Sequence, residues 1–144
     1  MIRVFLDANV LFSAAYREES GLLRLWRVSG VRLVTSDYAR QEAHSNLNEI
    51  IQRERLANLL KTVIVTSHST DLPALPSGIM LPGKDAPILE AAISVGAAVL
   101  LTGDVTHFGR YYGKTIGGVR IMPPADFLHE VAGKGNSLSQ FSGG

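Results

Sequence analysis

The chain has 144 residues, 46% of them hydrophobic, and its 14 basic and 13 acidic residues leave a formal charge of +1. This length fits one domain that buries roughly two thirds of the unfolded surface, and the absence of cysteine excludes disulfides and thiolate metal sites. No apolar run approaches the ~20 residues of a membrane span, and the N-terminus lacks the basic and apolar regions of a signal peptide, so we expect a soluble cytoplasmic protein without a membrane partner.

Five short apolar runs alternate along the chain with segments of helical periodicity. The runs lack the strict alternation of polar and apolar residues that marks a strand with one solvated face. Short buried strands separated by helices predict a parallel sheet that is covered on both faces. The predicted strands are residues 2–7, 31–35, 63–67, 98–104 and 119–122.

The segments between the strands carry apolar residues at spacings of three and four, which predicts helices. Ser36 is placed to cap a helix that starts near Asp37, and its apolar face continues as far as Ile50 or Ile51. Pro87 stands in the first turn of a later helix, where proline is favoured. The predicted helices are residues 8–17, 20–30, 37–51, 52–61, 85–97 and 123–131.

No repeat and no linker divides the chain, so residues 1–132 are predicted to form a single domain. Residues 70–83 contain three prolines and two glycines, which predicts a loop. Residues 133–144 are rich in glycine and serine, and we expect them to form a disordered C-terminal tail.

Four acidic side chains are placed near the carboxyl edge of the predicted sheet. Asp7 and Asp104 directly follow core strands, Asp85 starts a helix, and Glu42 borders the apolar stripe of its helix. Sites in such sheets form outside the carboxyl ends of the strands. Each acid taken singly has another interpretation: Asp7 and Asp104 as turn or cap residues, Asp85 as a charge at a helix start, and Glu42 as a solvated side chain.

Carboxylates that are held together repel one another and must gain protons or a cation. Hard divalent ions such as Mg²⁺ and Mn²⁺ prefer oxygen ligands. A four-acid cluster without cysteine therefore predicts a Mg²⁺ or Mn²⁺ site, and phosphoryl transfer is the chemistry that such sites most often support.

Four segments of the chain look like the successive motifs of PIN-domain ribonucleases: "FLDANVLFSA", "TSDYARQEA", "GKDAPILEAA" and "LLTGDVTHFG". A fifth, "PPADFL", resembles the segment that closes the sheet in a bacterial and archaeal branch of VapC-like toxin components of toxin–antitoxin pairs. The resemblance runs from about residue 2 to residue 131 and keeps the order and spacing of the motifs. It implies a PIN-like (Rossmann-like) three-layer α/β/α sandwich with a central, mainly parallel sheet of about five strands.

The same resemblance implies a Mg²⁺- or Mn²⁺-dependent endoribonuclease that leaves 5′-phosphate and 3′-hydroxyl ends. Many relatives carry a further acid close to the position of Asp104, where this chain has Val105, Thr106 and His107, so the number of metal ions stays open. The catalytic and metal-binding acids that the resemblance implies are Asp7, Glu42, Asp85 and Asp104.

Other polar residues are assigned supporting roles by the resemblance. Asn9 and Thr102 match positions that support the metal site, and Ser36 matches a hydroxyl that precedes the glutamate helix. Gly103 is expected to permit the tight exit from the fourth strand. The candidates for contact with the RNA backbone, for which solvated surface charge is the alternative, are Lys84, Arg110 and Lys114.

Four further residues have a functional and a structural interpretation. His107 could act on the leaving group, although a role as a turn residue is favoured. Tyr111 and Tyr112 could stack on bases, although packing at a sheet edge or in a dimer is favoured. Trp26 stands at helical spacing and is expected in the core or an interface.

The partners expected from the resemblance are an RNA substrate, an antitoxin that covers the acidic cleft, and a second copy of the chain. Apolar residues in segments 22–26 and 56–60 are the candidates for a homodimer contact. The sequence itself shows none of these partners.

Other protein classes also gather acids at strand ends. A signalling receiver domain requires an acidic pair after the first strand, and a haloacid-dehalogenase-type phosphatase requires a DxD motif there, whereas this chain has Asn9 two residues after Asp7. The strand in "VIVTSHS" also ends without the aspartate that a receiver domain phosphorylates. A catalytically silent PIN scaffold that binds RNA or a partner protein stays open as the alternative.

Overall fold

The computed structural model describes residues 1–67 and 73–133. The tail predicted for residues 133–144 lies outside this range except for its first residue, and so does the part of the predicted loop formed by residues 70–72. The strands are β1 (Ile2–Leu6), β2 (Val31–Ser36), β3 (Ile64–Thr66), β4 (Val99–Leu101), β5 (Thr115–Ile116) and β6 (Val119–Met122).

The six strands form one sheet in the order β3-β2-β1-β4-β6-β5. Every neighbouring pair is parallel except β5 and β6, which are antiparallel. The predicted α/β fold with a mainly parallel sheet is therefore confirmed. The helices are α1 (Ala8–Tyr16), α2 (Asp37–Asn46), α3 (Ile50–Leu60), α4 (Ala86–Ser94), α5 (Val105–Phe108) and α6 (Pro124–Gly133), with 3₁₀ helices at Gly21–Arg27 and Gly109–Tyr111.

The chain builds the sheet outward from β1 in both directions. It runs from β1 through β2 to β3, then returns past β1 to β4 and continues to β6. Parallel crossovers are right-handed, so this reversal places the helices of the two halves on opposite faces of the sheet. The switch of direction falls between β1 and β4, and in open α/β sheets the crevice at such a point is the usual ligand site.

The core lies around the two central strands. Residues Val4 to Leu6 of β1 and all of β4 are fully buried, which explains why both segments are apolar without alternation. On α1 the buried residues include Val10, Leu11 and Ala14, and on α2 they are Ala39 and Ala43. The apolar stripes predicted for these two helices are confirmed at these positions.

Two predicted helices differ in the structure. The segment with Trp26 forms a 3₁₀ helix that ends at Arg27, instead of a helix that reaches Gly30. The helix predicted for residues 37–51 was wrong at its C-terminal end, because α2 ends at Asn46 and α3 begins at Ile50. As a result, Ile50 and Ile51 lie on a different helix and are 76% and 53% exposed.

The short strand β5 was not predicted. It has two residues and pairs with β6 through a tight turn in which Gly117 and Gly118 adopt φ angles of 58° and 83°. Two residues are too few to show a period, so the glycine pair was the available signal for a hairpin.

Within the described residues, no helix combines the length and the apolar character that crossing a membrane requires. The cytoplasmic location stays a prediction. The segments proposed for a homodimer contact are largely occupied within the chain: Leu25 and Leu56 are 1% and 2% exposed, and Leu22, Trp26 and Leu59 pack against the core.

Candidate active site

A cleft opens at the switch point, beside the carboxyl ends of β1 and β4. The two strands are in register from Val4 opposite Val99 to Leu6 opposite Leu101, and the Asp7 N–H donates to the Leu101 carbonyl at 3.0 Å. The residues that follow the two strands therefore emerge side by side. The cleft has a volume of about 240 Å³ and is lined by Asp7, Ala8, Asn9, Phe12, Glu42, Asn46, Lys84, Asp85 and Asp104.

Asp7 is the most buried of the cleft acids, with 4% of its surface exposed. Its Oδ1 accepts from the Ala8 N–H at 2.6 Å and so caps α1, while its Oδ2 accepts from Thr102 at 2.8 Å and from Asn9 at 3.2 Å. Burial raises the pKa of Asp7 to about 6, and the charges of Glu42 and Asp85 add to this rise, against the lowering effect of the hydrogen bonds. The carboxylate is held in place but is costly to ionise in the metal-free protein.

Thr102 links Asp7 to the segment that carries Asp104. The side chain is fully buried; its Oγ1 donates to Asp7 Oδ2 at 2.8 Å and accepts from the Asp104 N–H at 3.1 Å. Asn9 makes a parallel link, because its Oδ1 accepts from the Gly103 N–H at 2.8 Å. Thr102 and Asn9 therefore lie beside the cleft acids, and their role in supporting a metal site stays a prediction.

Gly103 itself does not have the role that the sequence suggested. It is not among the glycines with positive φ in the described chain, and an added Cβ would lie 3.4 Å from Asn9 Oδ1, which is van der Waals contact. The exit from β4 therefore depends on the N–H of Gly103 and not on glycine's conformational freedom.

Asp104 is both a helix cap and a cleft acid. Its Oδ1 accepts from the His107 N–H at 3.1 Å, which caps the short helix α5. Its Oδ2 lies 2.8 Å from Nδ1 of the same histidine. The capping interpretation therefore holds for Oδ1, while Oδ2 faces the cluster; metal binding by Asp104 stays a prediction.

Asp85 stands at the start of α4, yet its side chain makes no capping hydrogen bond there. The residue is 7% exposed, and its Oδ2 is buried without a hydrogen-bond partner among the described residues. His107 Nδ1 lies 3.0 Å from this oxygen. Burial raises the pKa of Asp85; the nearby His107 lowers it and the charge of Asp104 raises it further. The interpretation as a simple charge at a helix start does not account for an oxygen in this environment.

Glu42 reaches the cleft from α2 and is exposed. It stands outside the tight group formed by Asp85, Asp104 and His107, whose ligand atoms lie within 4.8 Å of one another. Asn46 follows Glu42 by one helical turn and also lines the cleft. The sequence analysis missed Asn46, although the i, i+4 spacing was a signal that it shares a face with Glu42.

Ser36 is a structural residue in this geometry. It is buried, and its Oγ accepts from the Ala39 N–H at 3.1 Å, which caps α2 as predicted. Ser36 is not among the described residues that line the cleft. Its contribution to the site is to start the helix that carries Glu42.

The three basic candidates are at different distances from the cleft. Lys84 lines it directly, and its carbonyl accepts from the Tyr38 hydroxyl at 2.9 Å. Arg110 lines a neighbouring groove with Met80 and His107. Lys114 is exposed on the segment before β5 and lines neither depression among the described residues.

The aromatic residues are packed, as favoured from the sequence. Tyr111 is 6% exposed, and its hydroxyl bonds both backbone groups of Met80, at 2.8 Å and 3.3 Å. Tyr112 donates to the Thr102 carbonyl at 2.8 Å. Trp26 packs against the core, and its ring N–H donates to the Leu59 carbonyl at 3.0 Å. These side chains support the fold, and none of the three lines the cleft.

The structure places His107 beside two of the cleft acids. A role as a turn residue was favoured, but its Nδ1 faces the carboxylates of both Asp85 and Asp104. The signal was its place three residues after Asp104, because a side chain at that spacing in a helical turn lies beside the first one.

Comparisons with known proteins agree with this architecture. Residues 3–106 match a family model described as PIN domain. The structure of VapBC2 from Rickettsia felis, bound to a DNA fragment from their promoter, is similar with a TM-score of 0.61 and 15% sequence identity, covering 85% of this chain and 98% of that chain. At this identity the similarity establishes the fold alone. A search of curated proteins found no match.

Proposed function

This chain belongs to the PIN domain family, and we propose that it is a divalent-metal-dependent endoribonuclease whose centre is the acidic cleft. The observation that carries the proposal is Asp85 Oδ2, a buried carboxylate oxygen without a hydrogen bond from the described residues, beside a second carboxylate. Burial without a hydrogen bond makes this carboxylate costly to ionise, and a divalent cation beside Asp85 and Asp104 would offset that cost. The catalytic and metal-binding residues of the proposal are Asp7, Glu42, Asp85 and Asp104.

The donor set fits a hard divalent ion. The four acids offer carboxylate oxygens, which Mg²⁺ and Mn²⁺ accept readily, and the absence of cysteine removes the softer alternative. We propose Mg²⁺ as the resident ion, with Mn²⁺ able to replace it. When bound, such an ion lowers the pKa of water and offsets the charge that develops on a phosphate.

The protein's own residues hold the site ready for this chemistry. Thr102 and Asn9 fix the orientation of Asp7, and the Asp104 backbone is tied to the same threonine hydroxyl. The reaction that we propose is hydrolysis: an oxygen–phosphorus bond forms from water, the bond from phosphorus to the 3′ oxygen breaks, and that oxygen leaves with a proton. The products carry 5′-phosphate and 3′-hydroxyl ends.

The substrate contacts follow from the placement of the basic side chains. Lys84 is placed on the cleft wall, where an ammonium group can pair with a phosphate. Arg110 lines the adjacent groove, and we propose that it contacts a phosphate of the RNA backbone next to the one that Lys84 contacts. Lys114 lies beyond both, so we assign it the weakest contribution of the three.

We further propose that the protein is the VapC-like toxin of a toxin–antitoxin pair and that an antitoxin covers the cleft. The fold shared with a chain of the VapBC2 structure supports this assignment. A cognate antitoxin would need to mask the acids or Lys84 to stop cleavage. Homodimer formation stays a prediction.

The test is cleavage of end-labelled single-stranded RNA by the purified protein in Mg²⁺, in Mn²⁺ and in EDTA. We expect internal cuts in both metals and none in EDTA, with Asp7→Asn inactive and Glu54→Gln, an exposed change on α3, fully active. RNA that is bound but not cut in any divalent metal would reject the nuclease and favour the silent scaffold.

A further inference from the structure

His107 places a ring nitrogen inside the acidic cluster. Its Nδ1 lies 2.8 Å from Asp104 Oδ2 and 3.0 Å from Asp85 Oδ2. Among the residues that the structure describes, Asp85, Asp104 and His107 form a group of potential metal ligands whose ligand atoms lie within 4.8 Å of one another. Asp85 and Asp104 are separated by nineteen positions, so this arrangement is made by the fold and not by local sequence.

The three atoms cannot all be satisfied by one proton. Two carboxylate oxygens and a ring nitrogen held this close together repel one another unless a proton or a cation lies between them. A single N–H on Nδ1 points along one direction, and Asp104 Oδ2 is the nearer acceptor at 2.8 Å. Asp85 Oδ2 is then left buried without a hydrogen bond from the described chain. One divalent cation, in contrast, would contact all three atoms at once.

The separations also suit a cation. Ligands ~2.1 Å from an octahedral ion and at right angles to each other are ~3.0 Å apart. The two nitrogen–oxygen distances, 2.8 Å and 3.0 Å, match this spacing. The backbone holds the histidine in place, because its N–H donates to Asp104 Oδ1 at 3.1 Å.

We propose that His107 Nδ1 is a metal ligand in this cleft, alongside Asp85 and Asp104, and that it raises the affinity of the site for Mn²⁺ and other transition-metal ions relative to its affinity for Mg²⁺, the more abundant ion that we propose as resident. Imidazole nitrogen binds transition metals well, whereas Mg²⁺ selects oxygen. The inference rests on the proposed function for the location of the metal. It goes beyond that function by adding a nitrogen ligand and a metal preference.

Pulsed EPR of the Mn²⁺-loaded protein tests the nitrogen ligand directly. Coordination by imidazole couples the electron spin of Mn²⁺ to the ¹⁴N nucleus, and labelling histidine with ¹⁵N must change that signal. We expect the coupling in the wild type and its loss in His107→Gln. The control variants His44→Gln and His129→Gln, both at exposed positions, should retain it.

Isothermal titration with MnCl2 and MgCl2 tests the preference. His107→Gln should weaken Mn²⁺ binding by about 10-fold or more, while Mg²⁺ binding changes by less than about 3-fold. Thermal unfolding in EDTA shows whether the variant is folded, and the isotope experiment on the wild type does not depend on any variant.

Two results would overturn the inference: no ¹⁴N coupling in the wild type, or a coupling that persists in His107→Gln. If RNA is still cut in Mn²⁺ in that case, the proposed function stands and only the role of His107 falls. If Mn²⁺ neither binds nor supports cleavage, both fall together.

Discussion

The buried hydroxyl of Thr102 donates to Asp7 Oδ2 at 2.8 Å and thereby joins the ends of the two central strands. Its oxygen also accepts from the Asp104 N–H at 3.1 Å. A single threonine therefore sets the position of one acid through its side chain and of another through its backbone. Asp7 and Asp104 are 97 positions apart in the sequence, and this link gives the pair a defined geometry.

Replacing Thr102 by valine keeps the shape of the side chain but removes its donor and its acceptor. We expect Thr102→Val to weaken Mn²⁺ binding and RNA cleavage by about 10- to 100-fold, the range found when groups that orient metal ligands are lost. Titration with MnCl2 and cleavage rates measure the effect. Thr66→Val is the matched control, because its hydroxyl bonds only the Thr35 carbonyl among the contacts described, at 3.3 Å. Equal effects of the two variants would contradict the role of Thr102.

We expect Asp85 to cost stability in the absence of a metal, because burial disfavours its charged form and raises its pKa. Asp85→Asn should raise the Tm in EDTA by a few degrees, because relieving a buried carboxylate without a hydrogen bond is worth about 1 kcal/mol or more. The same variant should lose RNA cleavage by at least about 100-fold. Glu90→Gln, on the same helix, should change neither quantity. A variant that is both less stable in EDTA and still active would argue against our description of Asp85.

The raised pKa of Asp7 predicts a pH dependence of stability. The pKa of Asp7 is about 6 in the folded state against an ordinary value of 3.8, so the unfolded chain loses this proton first as the pH rises. Below about pH 4 the group is protonated in both states and costs nothing. Between about pH 4 and 6 the folded state loses stability, on the order of 3 kcal/mol in total.

Asp7→Asn removes this titration. In EDTA, the free energy of unfolding of the variant relative to the wild type should increase from pH 4 to pH 6 and level off above pH 7. Changed hydrogen bonds add an offset that does not vary with pH. Glu54→Gln serves as the exposed control and should show no such increase in urea unfolding. A flat difference for Asp7→Asn would mean that burial does not perturb this group.

The turn between β5 and β6 allows a prediction that does not involve the cleft. Gly117 has a φ of 58°, and an added Cβ would lie 2.7 Å from the end of the Ile93 side chain. Gly117→Ala should therefore lower the free energy of unfolding by about 1 to 3 kcal/mol. Gly78→Ala, also at positive φ but with open space around it, should cost less. Urea unfolding compares the two, and a larger loss at Gly78 would contradict the steric account.

The parts of the fold that could be predicted are those marked by an apolar run or by a regular apolar spacing in the sequence. Strands β1 and β4 are buried on both faces, so their continuous apolar runs identified them as strands. Because sites in parallel sheets form at the carboxyl ends of the strands, the acids that follow β1 and β4 could be placed at one edge. The break between α2 and α3 was missed because Leu47 continues the apolar spacing past the end of α2 and is itself buried. Apolar spacing cannot reveal the end of a helix when the residues of the following turn keep the same spacing.

The sequence indicated which acids lie at one edge of the sheet, but not the finer geometry of the cleft. The sequence singled out Asp85 and Asp104 as acids at the same edge, but their relation to His107 arises only when the start of α4 comes to face α5. It also treated capping by Asp104 and its place among the cleft acids as alternatives, whereas Oδ1 caps α5 and Oδ2 faces His107. Such a division depends on side-chain rotation, which no spacing in the sequence encodes.

The central claim is that the cleft acids hold a divalent cation, and an anomalous difference map from crystals soaked in MnCl2 tests it most directly. We predict a manganese peak within coordination distance of Asp85 Oδ2 and Asp104 Oδ2, on the side of the cleft that Asp7 lines. The peak should disappear from crystals of Asp85→Asn soaked in the same solution. A wild-type cleft that stays empty at millimolar Mn²⁺, or a peak that lies outside it, would contradict the account.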